Sequence, residues 1–391
     1  MKITNVRLQV LETDAPRRRF NLVTMQGQER ERWMHAAAHR PGTLPSAGTG
    51  SPNEKQHEFL MHVDTDEGVT GTCTAVAFGT SRFDPGDTEQ LKGIVVGHDP
   101  LDREFLWQKL HQGTRWVYRE PGWFGAFDNC LWDIAGKVAN LPVYSLLGRV
   151  RESTPCYYNI RGVTIEEAQE DSRRALEMGF RAVKDHFYHP YRENIRWLAA
   201  TREAVGPDVD LMHDCVGIYS FDEALKVGRA LEELDYRWFE EPLPERLHNR
   251  LKDLCASLDI PVLATEMFMY DVDMQAQWLI SGATDLIRVN ARHGTTAAMK
   301  LAHLAELHGT NVELNGTGGL WGLVHAHLLS SIQNTSYYEY FPGGINDEAG
   351  RSMGLENPVL PEKSRIRPPD GPGWGAVWDE ATLRKRTVAE Y

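Results

Sequence analysis

From Cys156 onward the chain repeats one unit: a short apolar run, a polar turn, an amphipathic stretch of helix length, and a closing Gly or Pro. Helix-period segments at 165–178, 194–205, 221–234, 245–257, 273–280, 295–308 and 320–333 alternate with apolar runs at 180–184, 210–213, 236–239, 261–265, 285–289, 311–314 and 336–340. Mostly apolar short strands are what a parallel sheet buried on both faces requires. Strand–helix units of this length call for right-handed crossovers between parallel neighbours. With Cys156–Tyr158 as the first, the count reaches eight strands, which predicts a closed β/α barrel rather than an open sheet.

The first 150 residues follow another pattern. Residues 2–10 and 59–68 alternate like strands. Helical periodicity covers about 102–113 and 126–137, where Phe127, Leu131, Ile134 and Ala135 share a face, and Leu141-Pro142 ends the second helix. The stretch 26–57 is rich in Gly, Pro, Ser, Arg and His without apolar periodicity; a loop of that length inside a compact domain is expected to serve function. The tail from about 358 is Pro- and Gly-rich and is expected to pack back on the N-terminal region.

A chain of 391 residues has room for a barrel with additions. Its net charge of −13 argues against nucleic-acid and anionic-membrane partners, which need a basic face. The five cysteines form no CxxC pair and read as reduced thiols rather than a disulfide framework or a zinc site. The N-terminus lacks the apolar core of a signal peptide, and no apolar run approaches the ~18 residues that span a bilayer. The expectation is a soluble cytoplasmic protein.

In such a barrel the chemistry sits where strands end and loops begin. Those positions hold Asn159, Lys184 and His186, Asp214, Glu240, Glu266, Arg288 and Asn290, Asn315, and Glu339. Asp214, Glu240 and Glu266 recur at a spacing of 26 residues on three successive strands, which sets three carboxylates side by side. Any one of them could be only a helix cap. Three adjacent carboxylates repel one another unless a cation joins them, and hard oxygen ligands of this kind suit Mg²⁺. Glu241, one residue further on and before Pro242, is expected to turn away into a structural role.

Strand alternation sends Lys184 and His186 to one side and Asp185 to the other; His213 likewise points away from Asp214. Two basic side chains facing a metal-held carboxylate suit removal of a proton next to that carboxylate, with the cation stabilising the resulting enediolate. Lys or His with Mg²⁺ is a known design for this reaction. His303, His308, His325 and His327 have no partner at helical spacing and are read as structural, whereas His293, beside Arg292, is left open as a substrate contact.

These residues resemble the enolase superfamily, in its mandelate racemase/muconate lactonizing enzyme-like branch. The resemblance is carried by the segments 126–137 and 141–148, Gly179-Phe-Arg-Ala-Val-Lys184, 202–206, Phe239-Glu-Glu-Pro242 and Pro369-Asp-Gly-Pro-Gly373, together with the three acids. It implies an α/β architecture: a modified (β/α)7-8 TIM-type barrel over residues 131–357, and an N-terminal α+β capping domain over 1–130 completed by the tail 358–391. It also implies Mg²⁺, a small-molecule carboxylate substrate and a homo-oligomer. In that family the region 11–57 forms loops that choose the substrate, which makes Arg30, Arg32, His35, His39 and Arg40 candidate contacts. Glu339 matches the acid that stabilises the enediolate oxygen.

The sequence departs from the family in three places. Lys-x-Lys is here Lys184-x-His186. The His after strand seven is here Asn315, and its Asp partner after strand six is Arg288 or Asn290. Without that dyad, proton transfer on two faces is weakened and one-face chemistry is favoured. The expected reaction is dehydration of an aldonate-type sugar acid to a 2-keto-3-deoxy acid. The alternatives are a racemase, epimerase or cycloisomerase on a small carboxylate, and a non-catalytic homologue that binds metal and sugar acid.

Overall fold

Alternation at the N-terminus buries Val6, Leu8 and Val10 on one face of a strand, β1 (Ile3–Thr13). A computed structural model describes residues 1–13, 56–76, 83–268, 270–316, 320–341 and 350–391. His35 and Arg40, with the other candidate contacts of that loop, lie outside the described residues. β1 pairs antiparallel with β2 (Gln56–Thr65), which pairs with β3 (Thr70–Val76). Helices α1 (Pro85–Val95), α2 (Arg103–Val117), α3 (Gly125–Ala139) and α4 (Val143–Leu147) follow. β3 and α1 were not anticipated from the sequence.

The repeating units form the expected barrel. Its strands are β4 (Thr154–Asn159), β5 (Ala182–Asp185), β6 (Asp210–Asp214), β7 (Trp238–Glu240), β8 (Val262–Ala264), β9 (Leu286–Val289), β10 (Val312–Leu314) and β11 (Tyr338–Tyr340). Each is parallel to the next, and β11 closes on β4 through Glu339 opposite Tyr157. Seven helices lie between them: α5 (Ile165–Glu177), α6 (Tyr191–Val205), α7 (Phe221–Glu233), α8 (His248–Cys255), α9 (Val272–Ser281), α10 (Thr295–Leu307) and α11 (Trp321–Ser331). Ser220 opens α7 as its periodicity implied, with the Glu223 carboxylate accepting the Ser220 N–H at 2.9 Å. The tail adds β12 (Arg365–Ile366), α12 (Glu380–Arg386) and β13 (Thr387–Glu390); β13 pairs antiparallel with β1, so the chain's two ends share one sheet.

Residue 130 falls inside α3, so the boundary drawn there from sequence cuts a helix. The irregular segment 148–153 separates α4 from β4. The helix α3 also bonds to both the barrel and the tail. Its Asp128 accepts from Thr296 N (2.8 Å), its Asn129 accepts from Thr295 N (2.9 Å) and donates to Ala291 O (2.8 Å), and Trp374 of the tail donates to Asn129 O (3.0 Å). At Gly125 a Cβ would lie 2.0 Å from Arg292 O, so only glycine permits this approach.

Inside the barrel the residues form layers. Tyr157, Ala182, Met212, Trp238 and Leu263 make a buried apolar floor, with Leu286 and Tyr337 against it. Two residues further along β4, β5, β6, β7, β9 and β11 the inward side chains become Asn159, Lys184, Asp214, Glu240, Arg288 and Glu339. The period of two thus lifts a polar layer onto an apolar floor, which removes water from beneath it.

Candidate active site

Register decides what this polar layer does. Asp214 lies directly opposite Glu240, whereas Lys184 lies opposite Met212, one step lower. The lysine stem therefore rises from below into the carboxylates. Lys184 Nζ sits 3.0 Å from Asp214 Oδ2, 2.9 Å from Glu240 Oε2 and 3.0 Å from Glu339 Oε1. Two of its N–H groups donate to Asp214 and Glu240, Glu339 lies within ion-pair distance, and the residue is 1% exposed. Burial opposes its charge, but Glu240 and Glu339 outweigh burial and hold its pKa well above the ordinary lysine value. The lowered pKa that a neighbouring divalent cation alone would give is not what these acids produce.

His186 differs in kind. It lies on the same side as Lys184, as alternation requires, but with 21% of its side chain open to solvent. Its Nε2 is 3.2 Å from Asp214 Oδ2, and its ring lies near Phe341 and Tyr188. Asp214 is held far below the usual carboxylate range: burial pushes it up, but Lys184 and then His186 pull it down further.

Arg288, a candidate substrate contact by position, is fully buried on β9 and grips Glu240 instead. Its Nε donates to Glu240 Oε1 at 2.8 Å, and a second guanidinium nitrogen bonds the same oxygen. Trp238 Nε1 donates to Oε2 at 3.3 Å. With Lys184, this fills the roughly four acceptor positions of the Glu240 carboxylate. Asn159 likewise serves the protein, donating to Glu339 Oε1 (3.3 Å) and Tyr340 O (3.1 Å), while the Gly316 N–H donates to Glu339 Oε2.

Glu266 stands at the mouth, 32% of its side chain exposed, with Arg288 Nε 4.0 Å away. Burial and the neighbouring Glu240 raise its pKa despite Arg288. Glu241 is buried, and desolvation followed by Glu245 and Glu266 drives its pKa well up. Glu245, which the sequence did not single out, accepts from the backbone N–H groups of Glu266 and Met267 at 2.7 Å each and fixes that turn. Three residues beside the expected ligands, Val216, Glu241 and Thr265, have φ of 44°, 46° and 84°. Left-handed backbone at non-glycine residues clusters at functional sites.

The donor chemistry fits a divalent cation. Asp214, Glu240, Glu266 and Glu339 gather their carboxylate oxygens around Lys184 and Arg288. As they stand, no three His, Cys, Asp or Glu side chains among the described residues are drawn together closely enough to hold an ion, and Lys184 and Arg288 occupy the Glu240 oxygens.

Across the barrel from His186, Asn290 and Asn315 form an oriented pair. Asn290 Oδ1 accepts the Arg292 N–H at 2.8 Å, so its Nδ2 is the group that donates to Asn315 Oδ1. Asn315 is left with its own N–H₂ to offer. Behind them His293 Nε2 accepts from Asn290 N (3.0 Å) and His325 Nε2 from Ala291 N (2.8 Å). Burial lowers both imidazoles to about 3. His293 is therefore a neutral structural acceptor, 1% exposed, and not a substrate contact. Among the described residues, the side facing His186 carries these amides and no base.

The chain matches two family models: "Enolase C-terminal domain-like" over residues 167–382 and "Mandelate racemase / muconate lactonizing enzyme, N-terminal domain" over 37–148. It is 25% identical over 346 residues to an arabinonate dehydratase of Saccharolobus solfataricus, covering 84% of this chain and 89% of that one. It is 28% identical over 368 residues to a D-galactarolactone cycloisomerase of Agrobacterium fabrum, covering 87% and 94%. Among solved structures, a magnesium-complexed D-glucarate dehydratase of Agrobacterium tumefaciens superposes with a TM-score of 0.82 over the whole of both chains at 28% identity.

Proposed function

The chain belongs to the mandelate racemase / muconate lactonizing enzyme family of the enolase superfamily, and on that premise we propose that it is a Mg²⁺-dependent dehydratase of a sugar acid. The observation that carries this reading is the unequal pair at the end of β5: Lys184 locked by three carboxylates, His186 open beside Asp214. Asp214, Glu240 and Glu266 would hold the ion, which supplies charge stabilisation to the substrate carboxylate as it becomes an enediolate.

His186 removes the proton from the carbon next to the carboxylate. Lys184 stays charged throughout and, with Glu339, sets the electrostatics beneath the reacting carboxylate. The protonated imidazole then returns its proton to the hydroxyl leaving the next carbon, so water departs and the enol left behind becomes the 2-keto-3-deoxy acid. A single imidazole suffices because both events share one face. The amides Asn290 and Asn315 take up no proton, which disfavours racemisation. Family likeness adds a cytoplasmic homo-oligomer to this reading, and sedimentation analysis tests the oligomer.

The likeness to a cycloisomerase supports one rival. Proton NMR in D₂O with Mg²⁺ and a panel of sugar acids separates the two. Loss of water with deuterium gained at C3 supports dehydration. A product retaining every oxygen, without a new ketone, supports cycloisomerisation. No turnover across the panel, with metal and sugar acid still bound, makes the chain a binding protein and refutes the proposal.

A further inference from the structure

We infer that Asp185, His213, Tyr219 and Asn194 form a buried brace that positions His186, an inference that rests on His186 being the base. The brace follows from the same alternation that builds the site. Asp185 lies between the inward Lys184 and His186, and His213 precedes the inward Asp214, so both point outward from neighbouring strands at the same register step. They meet behind the barrel wall, His213 Nδ1 2.6 Å from Asp185 Oδ1.

With the Asp185 carboxylate as acceptor, His213 donates from Nδ1, and in that neutral tautomer Nε2 accepts from the Tyr219 hydroxyl, 3.2 Å away. The Tyr219 oxygen in turn accepts from Asn194 Nδ2. Asn194 also donates to Phe187 O (2.8 Å) and accepts from His189 N (3.0 Å), while Asp185 Oδ1 accepts from Phe187 N (3.2 Å). The N–H and C=O of Phe187 and the N–H of His189, the backbone that follows His186, are thus tied to this one network. The Phe187 ring, 4.9 Å from that of Trp197, adds an apolar anchor.

All four brace residues are 2% exposed or less. A network in that environment is stiff, because each unmade bond would leave a buried polar group without a partner. It links the loops after β5 and β6 to the start of α6, joining the base to the strand that carries Asp214. None of its members reaches the mouth; they are positioning residues. A base displaced by about 1 Å costs on the order of a hundredfold in rate, so loss of the brace is read in turnover rather than in binding.

The test uses the full-length enzyme with Mg²⁺ and the best substrate among D-galactonate, D-glucarate and D-mannonate, in Asn194→Ala and in the milder Tyr219→Phe. Amide hydrogen exchange in the segment 186–190 is measured without substrate and is expected to rise at least tenfold in Asn194→Ala, with the barrel strands unchanged. The kcat should fall about ten- to a hundredfold while KM stays within threefold. In a His186→Ala background rescued by imidazole, Asn194→Ala should cost nothing further, since the brace acts only through the tethered ring. Unchanged exchange overturns the brace, and so does an equal loss of rate in the imidazole-rescued background. If the wild type turns over none of the three acids, the dehydratase reading falls, and the exchange measurement alone decides the brace.

Discussion

Replacing Arg288 by Met tests whether the polar layer is held by its internal cations. In the folded chain the guanidinium contributes two donors to Glu240 Oε1 and has no exposure to water. Met fills much of the volume but supplies no charge. Glu240 keeps Lys184 and Trp238 on Oε2, yet Oε1 is left buried without a donor. Removing one partner of a buried ion pair costs about 3–5 kcal/mol. With an unfolding entropy of roughly 2.1 cal/mol/K per residue, 391 residues unfolding together give about 0.8 kcal/mol/K, so the expected fall in Tm is about 4–6 °C. The assay is thermal melting by circular dichroism in chelator, beside KM and kcat measured with Mg²⁺. A substrate-contact role, the expectation from position alone, gives the opposite signature: KM rises and Tm stays within about 1 °C. That result would refute the clamp on Glu240.

Other outcomes follow from the same geometry. His186→Asn should leave Tm within about 1 °C, since the ring is partly exposed, while kcat falls on the order of 10²–10⁴-fold and deuterium exchange at C2 ceases; retained exchange would point to another base. Mg²⁺ at a hundred times its Kd should stabilise the fold by about 2.7 kcal/mol, or roughly 3 °C, and Glu266→Gln should reduce that shift; an equal shift in the variant would remove Glu266 from the ion. Burial lowers His327 to about 4 from its ordinary 6.5, with Nδ1 accepting from Tyr144 N at 3.1 Å. Because the folded value lies below the unfolded one, its contribution to stability is complete above pH 6.5 and is lost as the pH falls toward 4. Wild type should therefore lose about 1.4 kcal/mol relative to His327→Asn between pH 7.5 and 5.5 in urea unfolding; a difference that does not vary with pH would contradict a buried neutral imidazole.

The sequence by itself determined the barrel and the inward or outward aim of its strand-end residues. Both are local properties: a hydrophobic period shows the strands and helices, and a period of two assigns Lys184, His186 and Asp214 to one side and Asp185 and His213 to the other. The hairpin partner β3 and the helix α1 escaped because residues 70–95 carry weaker periodicity than the barrel repeats. Residue 130, where the sequence pattern changes, lies within α3, one helix bonded to Thr295 and Thr296 on one side and to the tail on another. What only the tertiary structure decided is which groups meet. Strand register sets Lys184 one step below Asp214, so its stem ends among three carboxylates and the open imidazole of His186 becomes the base candidate. The offset between strands also brings Arg288 onto Glu240, across the one intervening strand β8, instead of to the mouth. Partners such as Asp185 and His213, or Asn290 and Asn315, lie 28 and 25 residues apart in the chain. Sequence spacing carries no record of a pair whose distance is fixed by barrel closure, and so the chemistry of the layer had to wait for the fold.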